Sequence, residues 1–315
     1  MKKKFDVIVA GELNVDLILN RIESFPEVGK EKLADEMSLT LGSSSAIFAS
    51  NLSSLGMSVS FIGKTGQDIF GRLCKDQLNE KGVDTSMLIQ SEALKTGATV
   101  ILNYGEDRAM ITHQGAMKYL GINDITKEIL GIASHLHFSS YFLQPGFKND
   151  LGNLFKNAKE SGLSTSLDVQ WDPAEKWEFD FKKILPYVDI FLPNEAELLH
   201  LTGMDSIDTA LKVIGEYGNF IVIKRGKQGS VLSHNNKIVN AKPFLNDKVI
   251  DAIGAGDSFN AGFIFKFIQG FPPGDCLEFG NLCGAISTTC AGGTTAFINF
   301  EETMKIAKEK FGYEE

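Results

Sequence analysis

The sequence predicts an α/β fold built on a mostly parallel central sheet, and three observations carry that expectation. From Leu130 onward short apolar runs alternate with helical patterns, the rhythm of βαβ units. Near the end of the chain an extended run, Lys248-Val249-Ile250, passes through Asp251-Ala252-Ile253-Gly254-Ala255-Gly256-Asp257-Ser258-Phe259 into a helical pattern. A glycine-rich loop that enters a helix lets backbone N–H groups converge on an anion without side chains in the way. Two stretches, Leu17 to Leu41 and Thr96 to His113, behave differently: they alternate loosely and are broken by Pro26, Gly29 and the hairpin signal Tyr104-Gly105-Glu106-Asp107. They read as short strands and turns outside the helix-flanked sheet.

Taken in order, Phe5 to Ala10 is a buried strand by its apolar run. It ends in Gly11-Glu12-Leu13-Asn14-Val15-Asp16, where a dinucleotide-binding fold would carry Gly-x-Gly-x-x-Gly. That motif is absent, which argues against a dehydrogenase, and a polar turn is the plain reading. Gly42-Ser43-Ser44-Ser45-Ala46-Ile47 opens a helix running to Leu55-Gly56, with serines able to cap it. Gly63-Lys64-Thr65 imitates a phosphate-binding loop, but the glycine required five positions earlier is Ser58, so the segment reads as a structural strand-to-helix turn.

Strands are expected over Ala133 to Ser140, Leu163 to Val169, Val188 to Leu192 and Phe220 to Lys224, with a helix over Asn149 to Ser161. Ligands of such sheets collect beyond the carboxyl ends of the strands, where Asp168, Asn194, Lys224 and the 254–257 loop all fall. Asn194 with Glu197 forms a capping box. Gly226 and Gly229 bound a turn before Ser230-Val231-Leu232. Pro272-Pro273-Gly274-Asp275 starts a helix running to about Cys290, followed by the loop Ala291-Gly292-Gly293-Thr294.

Composition narrows the function classes. A chain of 315 residues suits one large α/β domain or two modest ones, and 43% apolar with 23% charged residues is globular usage. Forty acidic against 31 basic residues, a net charge of −9, argue against a nucleic-acid surface but leave room for a small anionic ligand. Lysines 2–4 are followed by too short an apolar run for a signal peptide, and no stretch is long enough to span a membrane, so a cytoplasmic protein is expected. Cys74, Cys276, Cys283 and Cys290 contain no Cys-x-x-Cys pair; the last three recur every seven residues, one helix face, and read as core thiols.

The nonapeptide 251–259 resembles the Asp-Thr-x-Gly-Ala-Gly-Asp-x-Phe motif of the ribokinase-like (PfkB) carbohydrate kinases, with Ala252 in the place of Thr. Gly-x-x-Asn-x-Asp at 11–16, Asn-x-x-Glu at 194–197 and Lys-x-Gly-x-x-Gly at 224–229 resemble further family segments in the same order. The resemblance implies one three-layer α/β/α domain over 1–315, with β-lid segments at about 12–40 and 96–114 inserted in the core. It implies ATP-dependent phosphorylation of a primary hydroxyl of a small sugar such as ribose or fructose.

Residue by residue, the resemblance assigns Asp257 as general base and Gly254, Ala255 and Gly256 as the anion hole. Asn14, Asp16, Gly42, Ser43 and Arg108 would hold the sugar. Asn194, Lys224, Gly226, Gly229 and Asn281 would hold ATP, with Cys283 and Gly284 on the same side as Asn281 or nearby. Glu197 would hold Mg²⁺ through water, and Asp251 and Ile253 with the 290–293 loop a monovalent cation such as K⁺. Ser43 and Ile47 depart from the family's Gly-Gly-x-x-x-Asn, so the sugar cannot be copied across. A nucleoside kinase of the same fold and a non-catalytic sugar-sensing protein are the alternatives. Neither nucleic acid nor membrane is an expected partner, and a homodimer through the lid is compatible with the reading.

Overall fold

The structure, a computed structural model, describes residues 3–104 and 107–314. Eight strands form the main sheet, in the spatial order Lys237–Ala241, Ser230–His234, Phe220–Lys224, Ile190–Phe191, Ser164–Asp168, Ala133–Ser139, Phe5–Ala10 and Val59–Ile62. The last six of these run parallel; the first two are added antiparallel at one edge. A parallel sheet is covered on both faces, which is why its strands read as continuous apolar runs rather than alternating ones. In Phe5–Ala10, Val7 and Val9 join one core cluster while Ile8 and Ala10 join the other.

The helix layer nearest the functional end includes Ser44–Ser54, Ala255–Ile268 and Pro273–Ser287. The middle one is buried from Asp257 to Lys266, as expected for a helix apolar on all sides and flanked by neighbours. Gly262 lets it approach Pro273–Ser287: a Cβ there would lie 2.7 Å from the Cys283 sulfur. The opposite layer includes Leu151–Glu160 and Glu195–Thr202, packed through Leu154, Phe155 and Leu198.

A separate four-stranded sheet is drawn from two distant segments, in the order Ala34–Leu41, Asn14–Ile22, Gly97–Tyr104 and Asp107–His113. The first segment is more regular than the sequence suggests. Leu17 to Leu41 holds two long strands in register, Asp16 opposite Thr40 and Leu19 opposite Met37. Loose alternation arises because one face of this sheet is apolar without being buried in the core. Residues 105–106 of the expected hairpin turn lie outside the described residues.

Two expectations need correction. The helix carrying Cys276 and Cys283 ends at Ser287, so Cys290 is not on its face; the four thiols are free, and Cys290 is half-buried. Cys283 packs against Gly262 in the core rather than facing the cleft, because that close approach of helices claims its side. The imitation phosphate loop is structural: Lys64 pairs with Asp124 at 3.0 Å, and Thr65 is buried in a short strand.

Candidate active site

A cleft of about 730 Å³ opens between the carboxyl ends of the main strands and the small sheet. Its walls include Asp16, Ile101, Arg108 and Met110 from the small sheet, and Asn194, Glu197, Lys224 and residues 252–257 from the main domain. Volumes of this order suit a small-molecule site.

The helix Ala255–Ile268 points its N-terminus into this cleft. Its N-cap, Gly254, has φ 73°, and a Cβ there would meet Gly293 Cα at 2.7 Å and Ile47 Cγ2 at 3.1 Å. Backbone conformation and close approach therefore both require glycine. The N–H groups of Gly256 and Asp257, in the first turn, have no intrahelical partner, which makes an anion site. Lys224 adds charge beside it: a Cβ on Gly256 would lie 3.7 Å from its Nζ.

Asp257 is buried at 8% exposure, and its Oδ1 accepts hydrogen bonds from Ser44 Oγ and from Gln170 Nε2, the latter at 3.0 Å. Burial pushes its pKa up to about 6, with Asp168 raising it further and Ser44, Lys224 and Gln170 acting against the rise. A carboxyl tuned toward neutrality suits a general base.

Behind it lies a buried polar hub. Asp168 receives the Lys224 ammonium, Asn260 Nδ2 at 2.6 Å and Gln170 Nε2 at 3.1 Å. Burial opposes the charge on Lys224, yet Asp168 and Glu197 outweigh it and raise the pKa, so the lysine stays cationic. Glu197 accepts from Asn194 N–H at 2.8 Å while Asn194 Oδ1 accepts from Glu197 N–H at 2.8 Å, closing the capping box. Burial and then the charge of Asp168 push the Glu197 carboxyl up to about 7. Among the described residues no cluster of three or more His, Cys, Asp or Glu side chains stands ready to hold a metal alone.

On the small-sheet side, Asn14 Nδ2 donates to Asp16 Oδ1 at 2.9 Å and to Thr99 Oγ1 at 3.2 Å. Burial pushes Asp16 up to about 6, its hydrogen bonds to Asn14 and Thr99 acting against the rise. Ser43 caps its helix: its hydroxyl accepts from Ala46 N–H at 3.0 Å and donates to the Glu12 carbonyl at 2.6 Å. Both hydrogen-bonding roles of Ser43 thus have partners in the protein, and Ser44 is the serine that reaches the cleft chemistry. Arg108 lies exposed near the outer end of the small sheet and lines the cleft.

On the other side, Gly226 (φ +53°) and Gly229 (φ +81°) shape the turn after Lys224. Arg225 pairs with Glu195 at 3.0 Å. Asn281, also lining the cleft, donates to the Lys242 carbonyl at 3.0 Å and so ties the 242–246 wall to its helix. Asp251 joins two loops: its carboxylate accepts from Ile253 N–H and from Gly292 N–H, each at 2.9 Å.

Neither the contacts of Ser44 and Gln170 with Asp257 nor the hub at Asp168 is evident from the sequence alone. Their signal is weak because the contacts span 56 to 213 residues of chain, from Asp168–Lys224 to Ser44–Asp257. The position of Asp168 at the carboxyl end of its strand is the legible hint.

A buried carboxylate at a helix N-terminus, with a cation beside the same N–H groups and a cleft in front, is an arrangement suited to phosphoryl transfer. Residues 4–299 match the pfkB family of carbohydrate kinases, and the chain belongs to that family. It is 30% identical over 234 residues to an uncharacterized sugar kinase of Archaeoglobus fulgidus, covering 74% of this chain and 92% of that one. It is 27% identical to a 5-dehydro-2-deoxygluconokinase of Clostridium perfringens over 99% of this chain and 96% of the relative. Among solved structures, Arabidopsis thaliana ribokinase complexed with ribose and ATP superposes with a TM-score of 0.83 at 23% identity, covering 98% of this chain and 99% of that one. The fold is ribokinase-like and the protein is an ATP-dependent carbohydrate kinase. No helix among the described residues is long and apolar enough to cross a membrane.

Proposed function

We propose that the protein phosphorylates a primary hydroxyl of a small sugar, with Asp257 as the general base. The observation that carries this is the placement of the Asp257 carboxyl, raised to about 6, at the mouth of the helix N-terminus that Lys224 flanks. Asp16 and Asn14 would orient the sugar through its other hydroxyls, with Gly42 beneath them and Arg108 at the outer end. The acceptor proton passes to Asp257 as the oxygen attacks the γ-phosphorus. The bond from that phosphorus to its bridging oxygen breaks, and the electron pair leaves with ADP. The N–H groups of the 254–257 turn and Lys224 stabilise charge on the phosphoryl oxygens.

ATP would lie along Gly226, Gly229 and the wall carrying Asn281, with Asn194 near its phosphates. Glu197 suits Mg²⁺ held mainly by waters and phosphate oxygens, since this ion keeps several waters and takes few protein carboxylates; bound there, it would neutralise phosphate charge. Asp251 already bridges the 251–253 and 290–293 loops, which supports a monovalent cation such as K⁺ held by the carbonyls around it.

A nucleoside acceptor is the second reading, and the small sheet supplies the observation favouring it. Beyond the polar row Asp16, Thr99 and Thr112 lies an apolar row, Ile18, Ile101 and Met110, and then Asn20, Asn103 and Arg108. A sugar needs only the first row; a base could lie on the second. The opposite face carries Leu17, Leu19, Met37, Leu39, Val100 and Ile111, with Met37 at 70% and Ile111 at 71% exposure, which supports a homodimer through this sheet. Phosphorylation assays with ribose, fructose, 2-keto-3-deoxygluconate and adenosine test the proposal. Turnover of a sugar supports it, turnover of adenosine alone replaces it with the second reading, and no turnover of any acceptor counts against both.

A further inference from the structure

The base is held from one side only. Ser44 Oγ and Gln170 Nε2 both donate to Asp257 Oδ1, and Gln170 Nε2 lies 2.8 Å from Ser44 Oγ as well. Oδ2 of Asp257 has no hydrogen-bond partner among the described residues. The two donors come from distant places. Ser44 starts the helix Ser44–Ser54, directly after its Ser43 cap, and Gln170 follows the strand Ser164–Asp168.

Gln170 reaches this position at a cost. Its φ is +60°, a conformation that favours glycine, and Asp168 Oδ1 accepts its N–H at 3.2 Å. A residue without Cβ would occupy that backbone more easily, so its side chain is what sets this position apart. The same amide also donates to Asp168 at 3.1 Å, and Asp168 holds Lys224. One side chain thus spans the base and the hub that fixes the phosphate-side cation.

We propose that Ser44 and Gln170 are positioning residues that fix Asp257 through Oδ1 and reserve Oδ2 for the proton of the acceptor hydroxyl. The inference rests on the reading of Asp257 as the base. With both donors on one oxygen, rotation of the carboxyl group costs two hydrogen bonds, and the proton-accepting lone pair stays directed into the cleft. The donors also favour the charged form of the base. The other charged groups facing Asp257 are Asp168 and Lys224 at the ends of their strands and Glu197 on its helix. All three remain when either donor is removed.

The test uses the full chain with Ser44→Ala, Gln170→Gly and Ser44→Thr. Gln170→Gly relieves the positive φ, so lost function there does not come from backbone strain. Carboxyl ¹³C NMR, with the Asp257 signal assigned by its absence from Asp257→Asn, reads the base directly. The expected result is that the Asp257 midpoint rises by about half to one pH unit in Ser44→Ala and in Gln170→Gly. With an acceptor found in the substrate panel, kcat falls by about ten- to a hundredfold while KM for ATP is unchanged. Ser44→Thr, which keeps the hydroxyl, restores both readouts toward the parent. An unmoved Asp257 midpoint in both variants, or a full kcat in both, overturns the proposal. A parent protein that phosphorylates none of the panel's acceptors counts against the proposed acceptors instead, and the NMR midpoint still decides the roles of Ser44 and Gln170.

Discussion

Gly42 sits directly against the carboxylate of Asp16: a Cβ at position 42 would lie 2.2 Å from Asp16 Oδ1 and 2.6 Å from Asn14 Nδ2. The glycine is therefore what allows the Asn14–Asp16 pair to keep its place at the cleft wall. Gly42→Ala should push the Asp16 carboxylate aside and weaken sugar binding about tenfold or more, with ATP affinity kept. Calorimetric titration of both ligands checks this, and unchanged sugar affinity would remove Asp16 from the binding site.

Among the described residues Asp16 is buried with no cation paired to it, and its hydrogen-bond partners there are the neutral Asn14 and Thr99. Asp16→Ala should weaken sugar binding by about 1.5–3 kcal/mol, the range for hydrogen bonds to a charged group. Its effect on stability has a sign. The folded pKa, about 6, lies above the ordinary 3.8, so the folded state holds the proton more tightly. The stability this adds is complete below pH 4 and is lost as pH rises through 6. Asp16→Ala should therefore look better, relative to the parent, at pH 8 than at pH 4. Urea unfolding at the two pH values measures it; a variant less stable at pH 8 than at pH 4 relative to the parent would point to a structural salt-bridging role.

His135 provides a contrasting pH effect remote from the cleft. It lies between Ser164 Oγ at 2.8 Å and Ser166 Oγ at 2.7 Å, and burial lowers its pKa to about 3. The unfolded chain binds the proton first, so stability falls as pH drops below 6.5 toward 3, at up to about 1.4 kcal/mol per pH unit. His135→Gln should flatten that part of the profile. The same slope in parent and variant would show that this histidine does not govern acid sensitivity.

The central strands and the helix from Ala255 were legible because their burial imposes long apolar runs and because Gly254 must be glycine for two steric reasons. The capping box of Asn194 and Glu197 was legible because both partners lie within one helical turn. Ser44 and Gln170 were not, since each acquires meaning only when the loop after Asp168 meets the turn before Ser44–Ser54. Cys290 misled because a seven-residue spacing continues past the end of the helix at Ser287, which nothing in the spacing marks. The small sheet reads as broken strands in the sequence because its outer face is apolar without lying in the core.

Asp251 ties Ile253 and Gly292 together and so shapes the floor beneath the anion site. Activation by K⁺ over tetramethylammonium at matched ionic strength is expected, and Asp251→Ala should abolish the difference. Equal rates in the two salts with the parent protein would show that the loops need no ion.

The central claim is that Asp257 takes the acceptor proton. Asp257→Asn keeps an oxygen to accept from Ser44 and Gln170 and leaves the helix N-terminus in place, while removing the base. Single-turnover and steady-state phosphorylation of the accepted sugar should show kcat lowered by about 10²–10⁴-fold with ATP affinity retained. Turnover within a fewfold of the parent would contradict the account.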